Sequence, residues 1–379
     1  NDTLNVAIIN AAGIDAGIIS AASVETINIV AADATAAGGT AVGHTIDLDA
    51  ATGYKTVNVS GNNGLAMTAD STAITSFDAS GVVANGTADT AALLAVTNTF
   101  GALAGASTIA GGEGNDTLNA AAAVAAVTLT GNAGADILTG SATIASTIVG
   151  GAGGDTITGG AAADTIRGDG GDDTNLDGAG GDDTIVGGEG ADTIIGGAGS
   201  DTIDLTETVA AIDTVEMTGA TSTDTIIAFT TGTGGDVVEI SVAAISGTVQ
   251  SVVDTAVAAG AGATVLATVT AAFDADDIGA GVDIVVLDGN LGNTGAVETA
   301  LEVGGDFEMT FGGTMAIGDS FMVLYDDGSS SYLAEVTATA TMADGDTQVA
   351  SGFTVTNEAI FSDVADATDF ALGNFTFIA

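Results

Sequence analysis

The sequence has no cysteine, no proline and no tryptophan, and Lys55 and Arg167 are the only basic side chains among its 379 residues. Without cysteine there are no disulfides and no thiolate metal sites. Without proline, refolding is free of slow cis/trans steps. Fifty acids against two bases give a formal charge of −48, which excludes nucleic acid and anionic membrane surfaces as direct partners. Only divalent cations could bridge such a chain to an anionic surface such as lipopolysaccharide. Aromatic residues make up 4%, too few to build a sugar-stacking cleft readily. A single histidine, His44, cannot form a zinc site of the His-x-x-x-His kind; it lies in Val-Gly-His-Thr and is expected to face solvent in a turn. There is no Gly-x-Ser-x-Gly elbow, no EF-hand loop and no P-loop, since Lys55 follows Tyr54 rather than glycine. No apolar run is long enough to cross a bilayer as a helix, so no helical membrane span is expected. These absences point away from catalysis.

Such acidity ordinarily means disorder. Here 46% of residues are hydrophobic and the mean hydropathy is +0.48, so a core is possible. The charge must then be spread over a long surface or neutralised by bound cations.

What is present is a repeat. From Gly150 to Asp204 the chain reads in units of nine, each with a glycine-rich half ending in Asp and a short half carrying one Ile or Leu. The aspartates are Asp155, Asp164, Asp173, Asp183, Asp192 and Asp201; one extra residue around Asn175 to Asp177 makes the third step ten. Two outlying copies precede them, Gly111–Asn119 with Asp116 and Gly131–Thr139 with Asp136 and with Asn132 in the second place. Glycine supplies turns of positive φ and lets carbonyls approach a ligand closely. Carbonyl and carboxylate oxygens together are the donor set that Ca²⁺ selects. Triplets such as Thr156-Ile157-Thr158 suit a short strand with the middle residue turned inward. Ile157, Ile166, Ile185, Ile194 and Ile203 are therefore expected to stack as a narrow core. One apolar side chain per nonapeptide is little, and stacked carboxylates repel. The block is expected to fold only with calcium.

The unit resembles the RTX nonapeptide, a calcium-binding repeat of parallel β-rolls. The resemblance implies that two nonapeptides make one coil and that each ion lies between alternate repeats. Asp155, Asp173 and Asp192 would line one edge, and Asp164, Asp183 and Asp201 the other. Asp116 and Asp136 would be ligands in the outlying copies. Main-chain oxygens completing the shells would come from Gly111, Gly150, Ala152, Gly154, Gly159, Ala161, Ala163, Gly168, Gly170, Asp172, Gly178, Gly180, Asp182, Gly187, Glu189, Ala191, Gly196, Ala198 and Ser200. As side chains, Asp169, Asp172 and Asp182 are extra turn acids open to solvation. The pattern degenerates at Gly140–Val149, where Ser146 replaces Asp, and at Asn175, where an apolar residue is expected.

Residues 1–110 carry looser repeats, with alternating segments at Val24–Ile29, Lys55–Ser60 and Ile74–Asp78 separated by Gly, Ala and Asn. Their spacing suggests a parallel β-helix wider than the nonapeptide roll. Their style resembles the β-helical arms of RTX-type bacterial surface-layer proteins. Asp47, Asp49, Asp70 and Asp78 are isolated and are read as solvated turn acids before calcium ligands. Asn1-Asp2-Thr3-Leu4-Asn5 duplicates Asn115-Asp116-Thr117-Leu118-Asn119, as if the chain began in mid-repeat.

Residues 205–241 resemble the segment that caps RTX rolls, a solenoid end otherwise exposing strand edges. That likeness implies a further calcium site, with Asp224, Asp236 and Glu239 as candidates. Residues 242–379 form a C-terminal β-rich domain. In it, Val242–Val269 is compatible with helix or strand, and Asp283–Leu287 reads as a strand. Thr294–Val303 reads as a short helix, and Ser320–Tyr325 with Ser331–Val336 as a hairpin. The apolar end Phe375–Ala379 resembles a type I secretion signal and equally suits a last strand.

The expected architecture is all-β: a right-handed parallel β-helix over residues 1–110 and an RTX β-roll over 111–204, then the cap and the C-terminal domain. The expected function is that of a non-enzymatic calcium-binding structural protein of a bacterial surface layer. It would be secreted unfolded, folded by several calcium ions and assembled with copies of itself. The alternatives are the C-terminal module of a large RTX adhesin and the non-catalytic half of an RTX hydrolase.

Overall fold

A computed structural model describes residues 2–9, 15–19, 24–32, 44–48, 53–69, 72–84, 94–218, 222–241, 266–269, 273–274, 284–301, 309–310, 320–339, 353–371 and 374–378. Asp49 and Asp70, most of Val242–Val269 and Glu302–Val303 of the expected helix lie outside the described residues. The chain divides into two compact units, Asn1–Ile194 with Glu207–Ala210, and Ile195–Thr206 with Ala211–Ala379.

The first unit is a parallel β-solenoid. One sheet takes Thr3–Ile9, Thr26–Ala32, Thr56–Gly61, Ser76–Val82, Ser107–Ala110, Val127–Ala133, Ser146–Ala152, Thr165–Gly170 and Thr184–Glu189. The other takes Asp15–Ile18, His44–Asp47, Leu65–Ala69, Val96–Phe100, Thr117–Asn119, Ile137–Thr139, Thr156–Gly160, Asn175–Ala179 and Thr193–Ile195. Successive strands alternate between the sheets, so each coil gives one strand to each. Period-two alternation sends one row of side chains inward. Ile27, Val57, Phe77, Ile109, Leu129, Ile148, Ile166 and Ile185 are in register along the first sheet, each no more than 1% exposed. Leu118, Leu138, Ile157 and Leu176 do the same in the second. Each such burial stabilises by roughly 2 kcal/mol, and Phe77 and Phe100 add an edge-to-face contact at 5.1 Å across the core.

Coil length changes along the unit. Thr3 pairs with Thr26, Thr26 with Thr56, Thr56 with Ser76 and Ser76 with Thr108, so the first coils are unequal and longer than two nonapeptides. Further on, Val127 pairs with Ser146, Thr147 with Thr165 and Thr165 with Thr184. Those coils are two nonapeptides long, some with one residue added. The N-terminal coils are thus longer, as expected, and the surplus falls between strands. On the outer face of the first sheet Asn5, Asn28 and Asn58 form an amide ladder, each bond 2.8 Å long.

Two sequence expectations are corrected here. Asn175 does not occupy the apolar place. It pairs with Thr156, while Leu176 pairs with Ile157 and is fully buried. The extra residue is therefore taken up within Thr174–Asn175, ahead of the inward position. His44 does not face solvent. It is 0% exposed in strand His44–Asp47, where His44 and Ile46 point inward, and its Nε2 lies 3.1 Å from the Asn63 amide. Strand alternation overrode the turn-like look of its glycine neighbour.

The second unit also holds two sheets. In one, Thr202–Asp204 pairs in parallel with Asp224–Ile227, which pairs in parallel with the end of Phe353–Phe361. From there the sheet turns antiparallel through Ser331–Ala338 to Ser320–Asp326, the expected hairpin, and then runs parallel to Ile284–Asn290 and Leu266–Val269. In the other, Thr214–Met217, Val237–Ser241 and Phe375–Ile378 run parallel, so the apolar end of the chain is a strand. Phe229, Phe361, Phe370 and Phe375 pack together, with successive rings 4.9–5.6 Å apart. A helix, Thr294–Leu301, closes a cluster with Val285, Val323, Ala334 and Val336; Asn293 Oδ1 accepts from the Ala296 amide at its start.

Candidate metal centre

The turns between the sheets place an Asp just before a strand, one on each edge of a regular coil. Five of these form a column along the entry to the second sheet: Asp116, Asp136, Asp155, Asp173 and Asp192. The amide of each donates to Oδ1 of the next, from Asp116 to Asp136 at 2.7 Å, Asp136 to Asp155 at 2.8 Å, Asp155 to Asp173 at 2.7 Å and Asp173 to Asp192 at 2.9 Å. On the opposite edge the Ser146 amide donates to Asp164 Oδ1 at 2.5 Å and the Asp164 amide to Asp183 Oδ1 at 2.6 Å. In the second unit the Asp201 amide donates to Asp224 Oδ1, and that of Asp213 to Asp236 Oδ1, both at 3.0 Å.

One oxygen of each of these acceptor carboxylates is thus used by the fold. In Asp136, Asp155, Asp164 and Asp173 the other oxygen is buried and has no hydrogen-bond partner. Orphaned buried oxygens are rare and ask for a ligand. Burial is the main force raising these acids, to about 7 for Asp136 and Asp173 and about 6 for Asp155 and Asp192. Amides of the preceding coil oppose the shift, and neighbouring aspartates add to it.

Glycine leaves room for that second oxygen. A Cβ on Gly187 would fall 2.6 Å from Asp192 Oδ2, and one on Gly159 would fall 2.6 Å from Asp164 Oδ2 and 2.7 Å from the Gly178 carbonyl oxygen. Gly111, Gly150, Gly168 and Gly196 stand in the same relation to Asp116, Asp155, Asp173 and Asp201. The first glycine of each unit therefore brings its carbonyl row beside the carboxylate column. The third-place carbonyls of Ala152, Gly170 and Glu189 instead accept from Gly134, Gly153 and Gly171 amides at 2.7–2.8 Å. Gly180 donates to the Gly160 and Gly178 carbonyls. Asp172 and Asp182 are exposed, as are Ala161, Ala163, Ala191, Ala198 and Ser200; Asp172 Oδ1 accepts from the Ala191 amide. Gly154 lies against the Asp172 carbonyl.

Several candidates stand apart. Asp116 closes its column, with Oδ1 accepting from Val96 and Oδ2 from Gly112, both at 2.6 Å. Asp236 is likewise engaged at both oxygens, by Asp213 and Thr230. Glu239 is half-buried on strand Val237–Ser241 opposite Glu216, and Asp224 is on the other sheet, so the three cap candidates do not form one group. The side chain of Glu189 holds Thr208 and Val209. Asp169, at φ 73°, pairs with Arg167 at 2.7 Å, and Asp78 ties its own turn through Ser80. Sequence reasoning did not select Asp213, although its Asp-Thr-Val repeats the Asp-Thr-apolar signature. Ser146 takes the aspartate place with a hydroxyl that accepts from the Ser141 amide.

Among the described residues no three His, Cys, Asp or Glu side chains converge to chelate one ion. That suits a donor set of one or two carboxylates and several carbonyls. The RTX calcium-binding nonapeptide repeat matches at residues 98–122, 126–142, 145–174 and 176–206. These are RTX repeats. No curated protein and no solved structure matches the chain. In the RTX coils the Oδ2 atoms and the adjacent glycine carbonyls offer hard oxygen donors only, the set that fits Ca²⁺.

Proposed function

We propose that the chain is a structural calcium-binding protein of an extracellular coat, a bacterial surface layer, exported unfolded and folded and assembled outside by calcium. The observation that carries this reading is the repeated one: along the aspartate columns one carboxylate oxygen is bonded into the solenoid, and in Asp136, Asp155, Asp164 and Asp173 its twin is buried with no hydrogen-bond partner. Asp136, Asp155, Asp173 and Asp192, with the carbonyls of Gly131, Gly150, Gly168 and Gly187, would hold ions on one edge. Asp164 and Asp183, with Gly159 and Gly178, would do so on the other. Bound calcium supplies the positive charge that lets these carboxylates stay ionised while buried.

The solenoid itself takes up the first unit, which favours a structural role over a calcium tail on some other device. A charge of −48 keeps copies apart unless cations intervene, so the same ion would govern folding and assembly. The reading is of a non-catalytic protein whose main partner is itself. The test is a calcium titration of chelated protein followed by circular dichroism, light scattering and electron microscopy. β-Sheet signal rising near roughly 10⁻⁴–10⁻³ M calcium, followed by ordered sheets, supports the coat. Folding without assembly would move the reading to an adhesin module or an enzyme tail.

A further inference from the structure

We propose that the second unit holds a separate site for a divalent cation of the calcium type, chelated by Glu335 and Glu358 and flanked by Asp224. Glu358 is the bulged residue between two antiparallel strands: Leu333 pairs with Ala359 and Ala334 with Asn357, which leaves Glu358 without an opposite number. A bulge re-aims a side chain, and this one is pinned. The Asn357 carbonyl accepts from Thr223 Oγ1 at 2.7 Å, and Asn357 Oδ1 accepts from the Tyr325 hydroxyl at 2.8 Å. Glu358 is 6% exposed and its Oε1 has no hydrogen-bond partner.

Like charge surrounds it. Glu335, 4% exposed, lies across the strand pair, where it is opposite Thr356. Asp224 pairs with Ala359, the residue after Glu358, on the other side. Burial first, then the charges of Glu335 and Asp224, raise the Glu358 carboxyl to about 7. The only basic side chains of the chain, Lys55 and Arg167, both belong to the first unit, and Arg167 is taken by Asp169. Counter-charge for the buried Glu358 carboxylate is therefore supplied most directly by a bound ion. All donors here are oxygens, which selects a hard ion over zinc or copper. The pair is the chelate, and main-chain and water oxygens complete it. None of this involves the nonapeptide columns of the first unit or rests on the coat reading.

Terbium as a probe of the intact chain separates this site from the repeats. The chain has three tyrosines, Tyr54, Tyr325 and Tyr332, and Tyr325 touches the residue next to Glu358. Tyrosine excitation should give terbium emission that excess calcium displaces and that Tyr54→Phe leaves in place. Glu358→Gln and, independently, Glu335→Gln should each shift the emission midpoint to at least about tenfold higher terbium. Wild-type chain without tyrosine-sensitised emission, or variants with an unchanged midpoint, would overturn the site. Assembly measured on the same samples keeps the two readings apart: sheets that form normally without this emission sink the site alone, and emission without sheets sinks the coat alone.

Discussion

The amide of Asp155 donates to Oδ1 of Asp173 one coil further on, at 2.7 Å, while Oδ2 of Asp173 is buried with no hydrogen-bond partner. One carboxylate thus serves the fold with one oxygen and a ligand with the other, and substitution can separate the two roles. Asp173→Asn keeps an acceptor for Asp155 but removes the charge. It should raise the calcium needed for folding by at least about tenfold, while the Asp155 amide keeps its acceptor. Asp173→Ala also strands the Asp155 amide and should cost about 1–3 kcal/mol more in saturating calcium. Calcium titrations of folding and urea titrations in saturating calcium read the two effects.

The same acids set the pH response. Their folded-state values, about 6 to 7, lie above the ordinary 3.8. A raised carboxyl contributes stability that is fully present below pH 3.8 and is lost as pH rises through 6 and 7, because the folded state then holds the extra protons. In chelator, the residual β-sheet signal should therefore be larger at pH 5 than at pH 8. In saturating calcium, melting should instead occur at a higher temperature at pH 8, since the ion needs the ionised form. Circular dichroism in chelator and thermal melts in calcium at the two pH values check the crossing; parallel trends would contradict it.

Glycine substitutions should sort by what they face. In Gly187→Ala the new methyl would fall 2.6 Å from Asp192 Oδ2, whereas one at Gly170 meets nothing nearer than the Gly151 carbonyl at 4.0 Å. Gly187→Ala should cost about 1–3 kcal/mol and weaken calcium binding. Gly170→Ala should stay within about 0.5 kcal/mol. Calorimetric melts in calcium distinguish them.

The shifted register after Asp173 has its own signature. Leu176→Ala should cost about 2–5 kcal/mol, as at any buried core position. Asn175→Ala should change stability by less than about 0.5 kcal/mol. Equal losses in urea titrations would place the apolar side chain elsewhere.

The strict period made much of this readable from the chain alone. A recurring Asp-Thr-Ile triplet fixes an edge, a strand and an inward side chain together, so both aspartate columns and the isoleucine core could be placed from the letters alone. Leu176 was missed because a one-residue insertion has several equivalent positions by eye, and only pairing with Ile157 chooses among them. His44 was missed because a short strand beside glycine has too few alternations to show its inward face. Glu335 and Glu358 carry no local signal; they meet because Ser331–Ala338 pairs antiparallel with Phe353–Phe361, and Asp224 joins them from a strand far back along the chain, registers no short period encodes.

The pentapeptide Asn-Asp-Thr-Leu-Asn occurs twice, and its copies lie in different sheets: Thr3–Asn5 in the first and Thr117–Asn119 in the second. Either wall of the solenoid accepts the same five letters. A gene of this design can lengthen or shorten its product by unequal crossing-over within the repeat. Gains of a full coil, a pair of nonapeptides in the regular part, leave every face as it was. A gain of half that exchanges the two walls for everything downstream. Heritable length variation in whole coils is thus the mildest route by which such a molecule changes its reach, and its sequence should drift most easily along that axis.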